Sequence, residues 1–551
     1  MLLDFDDWPR DRPIEADLCI VGAGAAGITL AREFIGSPLQ VCVLESGGET
    51  FEPATQALYD MVNTGLPRAP QSVSRIRQLG GSTNLWAGRC APLDPLDFQR
   101  RDWVPRSGWP IDRDTLAPWY ARAVDVLHLG APVFDHRLYP LAEEAPPRFA
   151  SDKLALRYWQ FSHSLVQPGN PVRFGTEYRD ELARAKNLRV FLHANLTDID
   201  TGPQDTRHVR GLTVRSLKGN RTRVRARYYV LACGGIENAR LLLASRATNP
   251  AGLGNDHDQV GRCFMEHPRG TCAVLRGAGM ARLQELCRHH WVDRGGERYV
   301  FLTGLRARPE WQRERQLLNC DVSLVEHEVP DSGTRALERL LHHRSSHQGE
   351  DIWRVLRDLD EVARNAARRY LDHKPPRIAA REITFECHIE QAPNPDSRIT
   401  LAAETDALGM PRGRMHWQLG ELEHRTIAAF TRSLAAELAR LGLGRLRIAD
   451  WVLDGGDGWT RGVQDVAHHM GSTRMSNDPR QGVVTPDGRL HGTDNLYIAG
   501  SSVFPTAGCV NPTFTIVALT LRLADHLRGR LRREAASAGR PAPPEKAHAP
   551  A

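Results

Sequence analysis

No stretch of this sequence is apolar for the length a bilayer demands, and no two of its ten cysteines form a C-x-x-C pair. The first absence leaves no candidate membrane span. The cysteines (19, 42, 90, 233, 263, 272, 287, 320, 387 and 509) fall mostly inside apolar runs. They read as reduced core residues of a cytoplasmic protein, not as a disulfide frame or a zinc site. Runs of basic residues interleaved with aromatics are also missing, and a net charge of +6 over 551 residues is modest. No nucleic-acid partner is expected. The opening Met1–Trp8 is acidic and short of apolar length, which fits neither a secretory nor a transit signal. His342, His343 and His347 have metal-like spacing but no carboxylate or cysteine to complete a set, so no metal is expected. What remains, 41% hydrophobic and 25% charged, is a globular composition, long enough for several domains or one two-lobed enzyme.

The informative stretch is Asp17–Arg32. Leu18-Cys19-Ile20-Val21 reads as a buried strand, Gly22-Ala23-Gly24-Ala25-Ala26-Gly27 as a glycine turn, and the residues after it as a helix. Gly22 permits a tight turn, Gly24 lets backbone approach a pyrophosphate, and Gly27 lets the helix pack on the strand. The helix N-terminus at Ala25 and Ala26 offers N–H donors to phosphates. A second strand, Val41–Leu44, ends at Glu45, where a ribose hydroxyl needs an acceptor. Ser46-Gly47-Gly48 then turns over that ribose. An acid there favours a free 2′-OH, as in FAD or NAD, over NADP. A second small-residue loop follows, Gly80-Gly81-Ser82-Thr83-Asn84-Leu85, of a kind that suits backbone contact with a polar cofactor.

Further on, strands at Arg189–His193, Gly211–Arg215 and Tyr228–Ala232 form a meander. The last runs into Cys233-Gly234-Gly235 and a helix, repeating the strand–glycine–helix arrangement of the N-terminus. The segment around 332–374 predicts a pair of solvated amphipathic helices. Arg381–Ile389 alternates as a half-buried strand, and a helix is expected from Thr426 to about Leu441. Residues 536–551 are Ala, Pro and charge and read as a disordered tail. Near the end stand His468-His469-Met470-Gly471, then Gly500-Ser501 after a short apolar strand, then Asn511-Pro512-Thr513 opening an apolar helix.

These motifs, together with Pro393-Asn394-Pro395 and Ser397-Arg398, resemble the glucose–methanol–choline (GMC) oxidoreductases over nearly the whole chain, in the expected order. The resemblance implies an α/β fold, with a Rossmann-like FAD-binding lobe (1–105, 180–270 and 455–535) and an α+β substrate lobe with an antiparallel sheet (106–179 and 271–454). It implies that Gly22, Gly24 and Gly27 face the FAD pyrophosphate, that Glu45 meets the ribose, and that the backbone of Leu196 contacts adenine. Gly80 to Leu85, Asn84 in particular, would lie along the isoalloxazine. Gly234, Gly500, Ser501, Pro512 and Thr513 complete the cofactor set. An acid that such enzymes often carry beside Gly500 and Ser501 is absent here.

His468 matches the family's catalytic base, with His469 as its rival, and Asn511 matches the second member of the pair. The implied reaction is FAD-dependent oxidation of a CH–OH group, in which a neutral histidine takes the hydroxyl proton and an amide holds the oxygen. The partners are then a small alcohol, sugar or polyol and an electron acceptor, O2 or another. Oxidation of a primary hydroxyl of an aminoglycoside precursor is a specific option that needs carboxylates in the pocket. A lyase or decarboxylase that keeps FAD structurally is the alternative. Family members that tether FAD covalently use a histidine where this chain has Leu85, so the FAD is expected to be non-covalent.

Overall fold

A short apolar run hidden on both faces belongs in the middle of a parallel sheet, and there lies β1 (Ile14–Val21), whose last four residues are all buried. The computed structural model describes residues 1–202, 205–377, 379–454 and 456–537. From β1 the chain turns at Gly22 into α1 (Ala25–Glu33) and continues to β2 (Val41–Leu44). β3 (Arg89–Cys90) and β4 (Leu154–Phe161) belong to a second sheet. β5 (Leu188–Leu192), β6 (Arg221–Leu231) and α2 (Gly234–Ala244) return to the first. β7 (Arg269–Leu275), β8 (Glu297–Ala307), β9 (Cys320–Glu328) and β10 (Ala380–Ile389) extend the second. β11 (Leu496–Ile498) and α3 (Thr513–Ser537) close the described chain against the first.

In the first sheet the order is Leu2–Asp4, β5, β2, β1, β6, Gly211–Arg215, Asn195–Asp200, with β11 also pairing β6. Register places Val21 beside both Leu44 and Leu231, and Leu231 beside Ile498, all on parallel strands. Gly22, Glu45, Ala232 and Ala499 therefore emerge together at the carboxyl edge, where open α/β sheets bind their ligands. α1 and α3 pack together below that edge.

The second sheet is antiparallel, ordered Arg447–Ile448, β7, β10, β9, β8, β4, β3, with His289–Arg294 added at β8. Arg269 on β7 stands directly across the ladder from His388 on β10. A separate apolar cluster including Ile383, Phe385, Phe430 and Leu434 packs the helix Glu421–Arg440 onto this sheet. A small third sheet (Met61–Asn63, Arg398–Thr405, Pro411–His416) packs on α2.

Three expectations need correction. The strand expected to open a meander, Arg189–His193, lies parallel between Leu2–Asp4 and β2, and the antiparallel run is instead Asn195–Asp200, Gly211–Arg215 and β6. The helix expected from Thr426 begins at Glu421, where the Glu423 carboxylate reaches back and accepts from the Gly420 N–H (2.9 Å), one half of a capping box whose other half a glycine cannot supply. The pair of amphipathic helices is three: Gly333–Leu341, Gln348–Arg357 and Leu359–Tyr370. His343, in the left-handed region at φ 53°, makes the first break. Of the proposed tail, Ala536 and Ser537 belong to α3, and the rest lies outside the described residues. No helix among the described residues is long and apolar enough to cross a membrane.

Candidate active site

The glycine loops meet at backbone contact. Gly22 has φ +100° and packs so tightly that a Cβ would sit 2.8 Å from the Ala232 carbonyl oxygen. A Cβ on Gly81 would lie 2.9 Å from Gly24 Cα, and the Gly80 N–H donates to Ala23 O (2.8 Å). Between them opens a cavity of ≈ 470 Å³ that runs from Leu196 and Met410 at one end to His468 and Asn511 at the other.

Most of the residues expected at the cofactor do line it. Gly22, Gly24, Ala25, Ala26, Glu45 and Ser46 form one wall, and Gly81, Ser82, Thr83 and Leu85 another. Leu196, Gly234, Gly500, Ser501, Pro512 and Thr513 are also at the surface of the cavity. Gly27, Gly80 and Asn84 are not. A Cβ on Gly27 would fall 1.8 Å from Gly22 O, so this residue serves the helix–strand contact and not the ligand face. Gly80 is pressed against Gly175, and the Asn84 amide is spent on Leu79 O (2.9 Å) and Gly81 O (3.0 Å), holding its own loop.

The Glu45 carboxylate accepts from Ala23 N and Gly47 N, both at 2.8 Å, which fixes it at the end of β2. Burial lifts its pKa, and those N–H groups and Arg77 oppose the lift. An open space stands at the Cβ positions of Gly234 and Gly500, both cavity-lining and both with positive φ. A glycine cradle, an acid at the second strand and two helix N-termini (α1 and α3) facing one elongated cavity fit a bound FAD.

The far end is built around His468. Its Nδ1 lies 2.9 Å from His267 Nδ1, and its Nε2 lies 3.2 Å from Asn511 Nδ2. The tautomers follow from one acceptor. The Ala507 carbonyl, 3.3 Å from His267 Nε2, can only accept, so that nitrogen carries the hydrogen. Burial pushes His267 down to about 4, so the ring is neutral and its Nδ1 is bare. His468 must then donate from Nδ1, which leaves the lone pair on Nε2, beside the Asn511 amide. Burial first, then His267, His388, Arg269 and Arg89, hold His468 well below the usual imidazole range.

His469 is differently occupied. Arg68, always a donor, lies with Nη2 2.7 Å from His469 Nε2 and also pairs Glu266 (2.7 Å) and Asp465 (2.9 Å). Its lone pair is therefore filled. Glu266 in turn accepts the backbone N–H of His468 (2.8 Å), and burial raises it to about 7 despite Arg68.

Sequence reasoning missed several lining or supporting groups. Glu237 pairs Arg75, Arg77 and Arg240 beneath the Leu196 end. His267, Arg89, Arg269 and His388 gather around His468 from three separate segments, none close to it in sequence. The string Met265-Glu266-His267-Pro268 was the nearest available signal, and nothing in its local pattern marks it.

Two family profiles fit the chain: the GMC oxidoreductases over residues 393–520, and the FAD dependent oxidoreductases over residues 17–302. Among curated relatives, paromamine 6'-oxidase of Streptomyces fradiae is 26% identical, over 96% of this chain and 94% of its own. The fructose dehydrogenase large subunit of Gluconobacter japonicus is 23% identical, over 94% and 99%. Among solved structures, pyridoxine 4-oxidase from Mesorbium loti superposes with a TM-score of 0.54 at 19% identity, covering 93% of this chain and 99% of that one. A formate oxidase superposes with a TM-score of 0.56 at 17% identity, covering 94% and 99%. With an FAD profile over more than half its length, a GMC profile at the end that carries His468 and Asn511, and the glycine cradle between two helix N-termini, the chain belongs to the FAD-dependent GMC oxidoreductases.

Proposed function

We propose that this enzyme oxidises a CH–OH group of a sugar or polyol to the carbonyl, with His468 as base and Asn511 as hydroxyl anchor. The observation that carries the reading is the unprotonated Nε2 of His468 at the cavity wall, whose lone pair meets only the Asn511 amide, at 3.2 Å. A substrate hydroxyl arriving beside the pair would take the place of that contact, donating its proton to Nε2 and accepting from Asn511 Nδ2. Burial keeps the imidazole neutral, so the base is ready without prior deprotonation. FAD, when bound, supplies the hydride acceptor. The residues that would hold it are the glycines, Ser46, Glu45 and the α1 and α3 N-termini described above. The lobe that carries them is assembled mainly from 1–105, 180–270 and 455–535, and the antiparallel sheet, built mostly from the remaining chain with β3 and the start of β7 added, covers the reacting end.

Leu85, on the cavity wall where a tethering histidine would stand, has no nucleophile, so the FAD is held without a covalent bond. Flavin recovered in the supernatant after acid precipitation is the expected result, and flavin in the pellet refutes it. The relatives named for sugars and amino sugars support the substrate class.

The decisive experiment is anaerobic absorbance of the FAD-loaded enzyme during addition of sugars, polyols and simple alcohols. Bleaching by a polyhydroxylated compound is expected, and readmitted air then tells whether O2 is the acceptor. A flavin that no alcohol bleaches would end the redox reading.

A further inference from the structure

Two arginines and a histidine line the reacting end of the cavity. Arg89 on β3, Arg269 on β7 and His388 on β10 all line it, and all three come from the second sheet. Arg269 keeps one ion pair, to Glu386 (3.2 Å), which is not on the cavity wall. His388 leans on the buried Asp321 (3.5 Å).

Arg89 has no such partner. Its guanidinium carbon sits over Trp159, 3.8 Å from the ring centroid, and no hydrogen bond or ion pair reaches it among the described residues. Its Nε and Nη2 are inaccessible to solvent and unsatisfied. A guanidinium left in that condition is costly to the fold unless something arrives to pair it. Burial even drags it down to about 10.

Carboxylates do line the cavity, but elsewhere: Glu45 ends β2, Glu237 lies on α2, and Asp406 lies in the small third sheet's connection. Each is already engaged, Glu45 by backbone N–H groups and the other two by arginines. None of these three stands beside Arg89. The buried Asp321, off the cavity wall, partly offsets the effect of burial on Arg89 but makes no hydrogen bond or ion pair with it, and it already meets Arg157 and His388, each at 3.5 Å.

We infer that the substrate is a hydroxy acid, a polyol or sugar bearing a carboxylate, whose anionic group pairs with Arg89 and Arg269 while its hydroxyl meets His468 and Asn511. This rests on the alcohol-oxidation reading above and narrows it. Nε and Nη2 have no access to the cavity, so a carboxylate there would meet Arg89 through the remaining Nη1, together with Arg269, whereas an ammonium group would meet two like charges at an end that no carboxylate lines.

The test uses the FAD-loaded enzyme and two matched sets: glucose, glucuronate and glucosamine, and glycerol, glycerate and 3-aminopropane-1,2-diol. Binding is read as a flavin difference spectrum at constant ionic strength, and oxidation as anaerobic bleaching. The acid of at least one set should bind tenfold or more tightly than its amine. Arg89→Met should weaken that acid roughly 30-fold or more, and Arg89→Lys should restore part of it. If Arg89→Met fails to load FAD, Arg269→Gln, more exposed, should show the same loss of preference on a smaller scale. Amines that bind as well as the acids, acids that leave the spectrum unchanged, or a preference untouched by both substitutions would each overturn the inference. An acid that binds without bleaching would sink the oxidation reading while the anion site stands. An amine that bleaches would do the reverse.

Discussion

His267 and His468 face one another through their Nδ1 atoms at 2.9 Å, with ring planes at 85°, so only one of the two can carry a hydrogen there. The Ala507 carbonyl decides which. A main-chain oxygen thereby fixes, through two rings, which nitrogen of His468 faces the substrate. The orientation of a histidine base is commonly set by what its other nitrogen touches.

His468→Ala removes the acceptor of the hydroxyl proton. The rate of flavin reduction should fall by about 10²- to 10⁴-fold, the scale of a lost general base. FAD content, read from absorbance per protein, should stay as in the parent. An unchanged reduction rate would take His468 out of the mechanism, and Arg68 on His469 makes that neighbour a poor substitute.

His267→Phe keeps a ring but removes the acceptor for the His468 Nδ1–H. Freed to adopt the other tautomer, the base should lose kcat by roughly 10- to 100-fold with KM little changed. His267→Gln, whose Oε1 can accept that hydrogen, should recover much of the loss. Equal damage from both substitutions would show that His267 only fills space.

The pH behaviour has a definite sign. His267, His468 and His469 are all held below the 6.5 of a free imidazole, chiefly by burial. The acid limb of kcat/KM should lie below pH 6.5. Unfolded, the three rings protonate near 6.5, so below that value the unfolded chain binds more protons than the folded one. Their contribution to stability is then intact above pH 6.5 and falls as pH drops towards the folded values, about 4 for His267. Glu266 and Asp97, both lifted by burial to about 7, act with the opposite sign over the same range. The part due to His267 is therefore read as the difference in denaturant midpoint between the parent and His267→Gln at pH 7.5, 6.5 and 5.5. A parent midpoint that does not fall relative to the variant's on acidification would contradict it.

Gly27→Ala drives a methyl to 1.8 Å from the Gly22 carbonyl, and backbone on both sides must shift. The expected loss is about 3 kcal/mol or more of stability, at the upper end for overpacking, together with poor FAD retention. Gly349→Ala, in a helix where a Cβ meets nothing within 4 Å, is the control. It should be neutral or stabilising by up to about 1 kcal/mol. A melting scan of both proteins separates them.

The parts of this molecule that could be read from sequence are those whose cause is local. Gly22, Gly24 and Glu45 announce themselves because a strand, a turn and a helix must follow within a few residues. Where one signal served two purposes, the reading slipped. Gly27 and Asn84 belong to the same motifs as the cofactor residues, yet both are consumed in holding their own turns. The helix start at Glu421 was hidden because glycine caps without advertising it. Arg89, Arg269 and His388 could not be found at all, since only the antiparallel ladder brings 89, 269 and 388 to one face. A side chain's partners across hundreds of residues are set by sheet register, and register has no signature in a single sequence.

The Ala507 carbonyl has one more implication, for inheritance. Every amino acid brings the same oxygen to position 507, so no single-codon change there deletes the anchor that orients the base. Mutational risk is displaced onto the next residue. Gly508 holds that peptide with φ +59°, and a Cβ on it would strike Leu93 at 2.5 Å. Descendants of this gene can vary what they write at 507 only among small side chains, since the position is buried, and any side chain at 508 must push Leu93 and Asp97 aside.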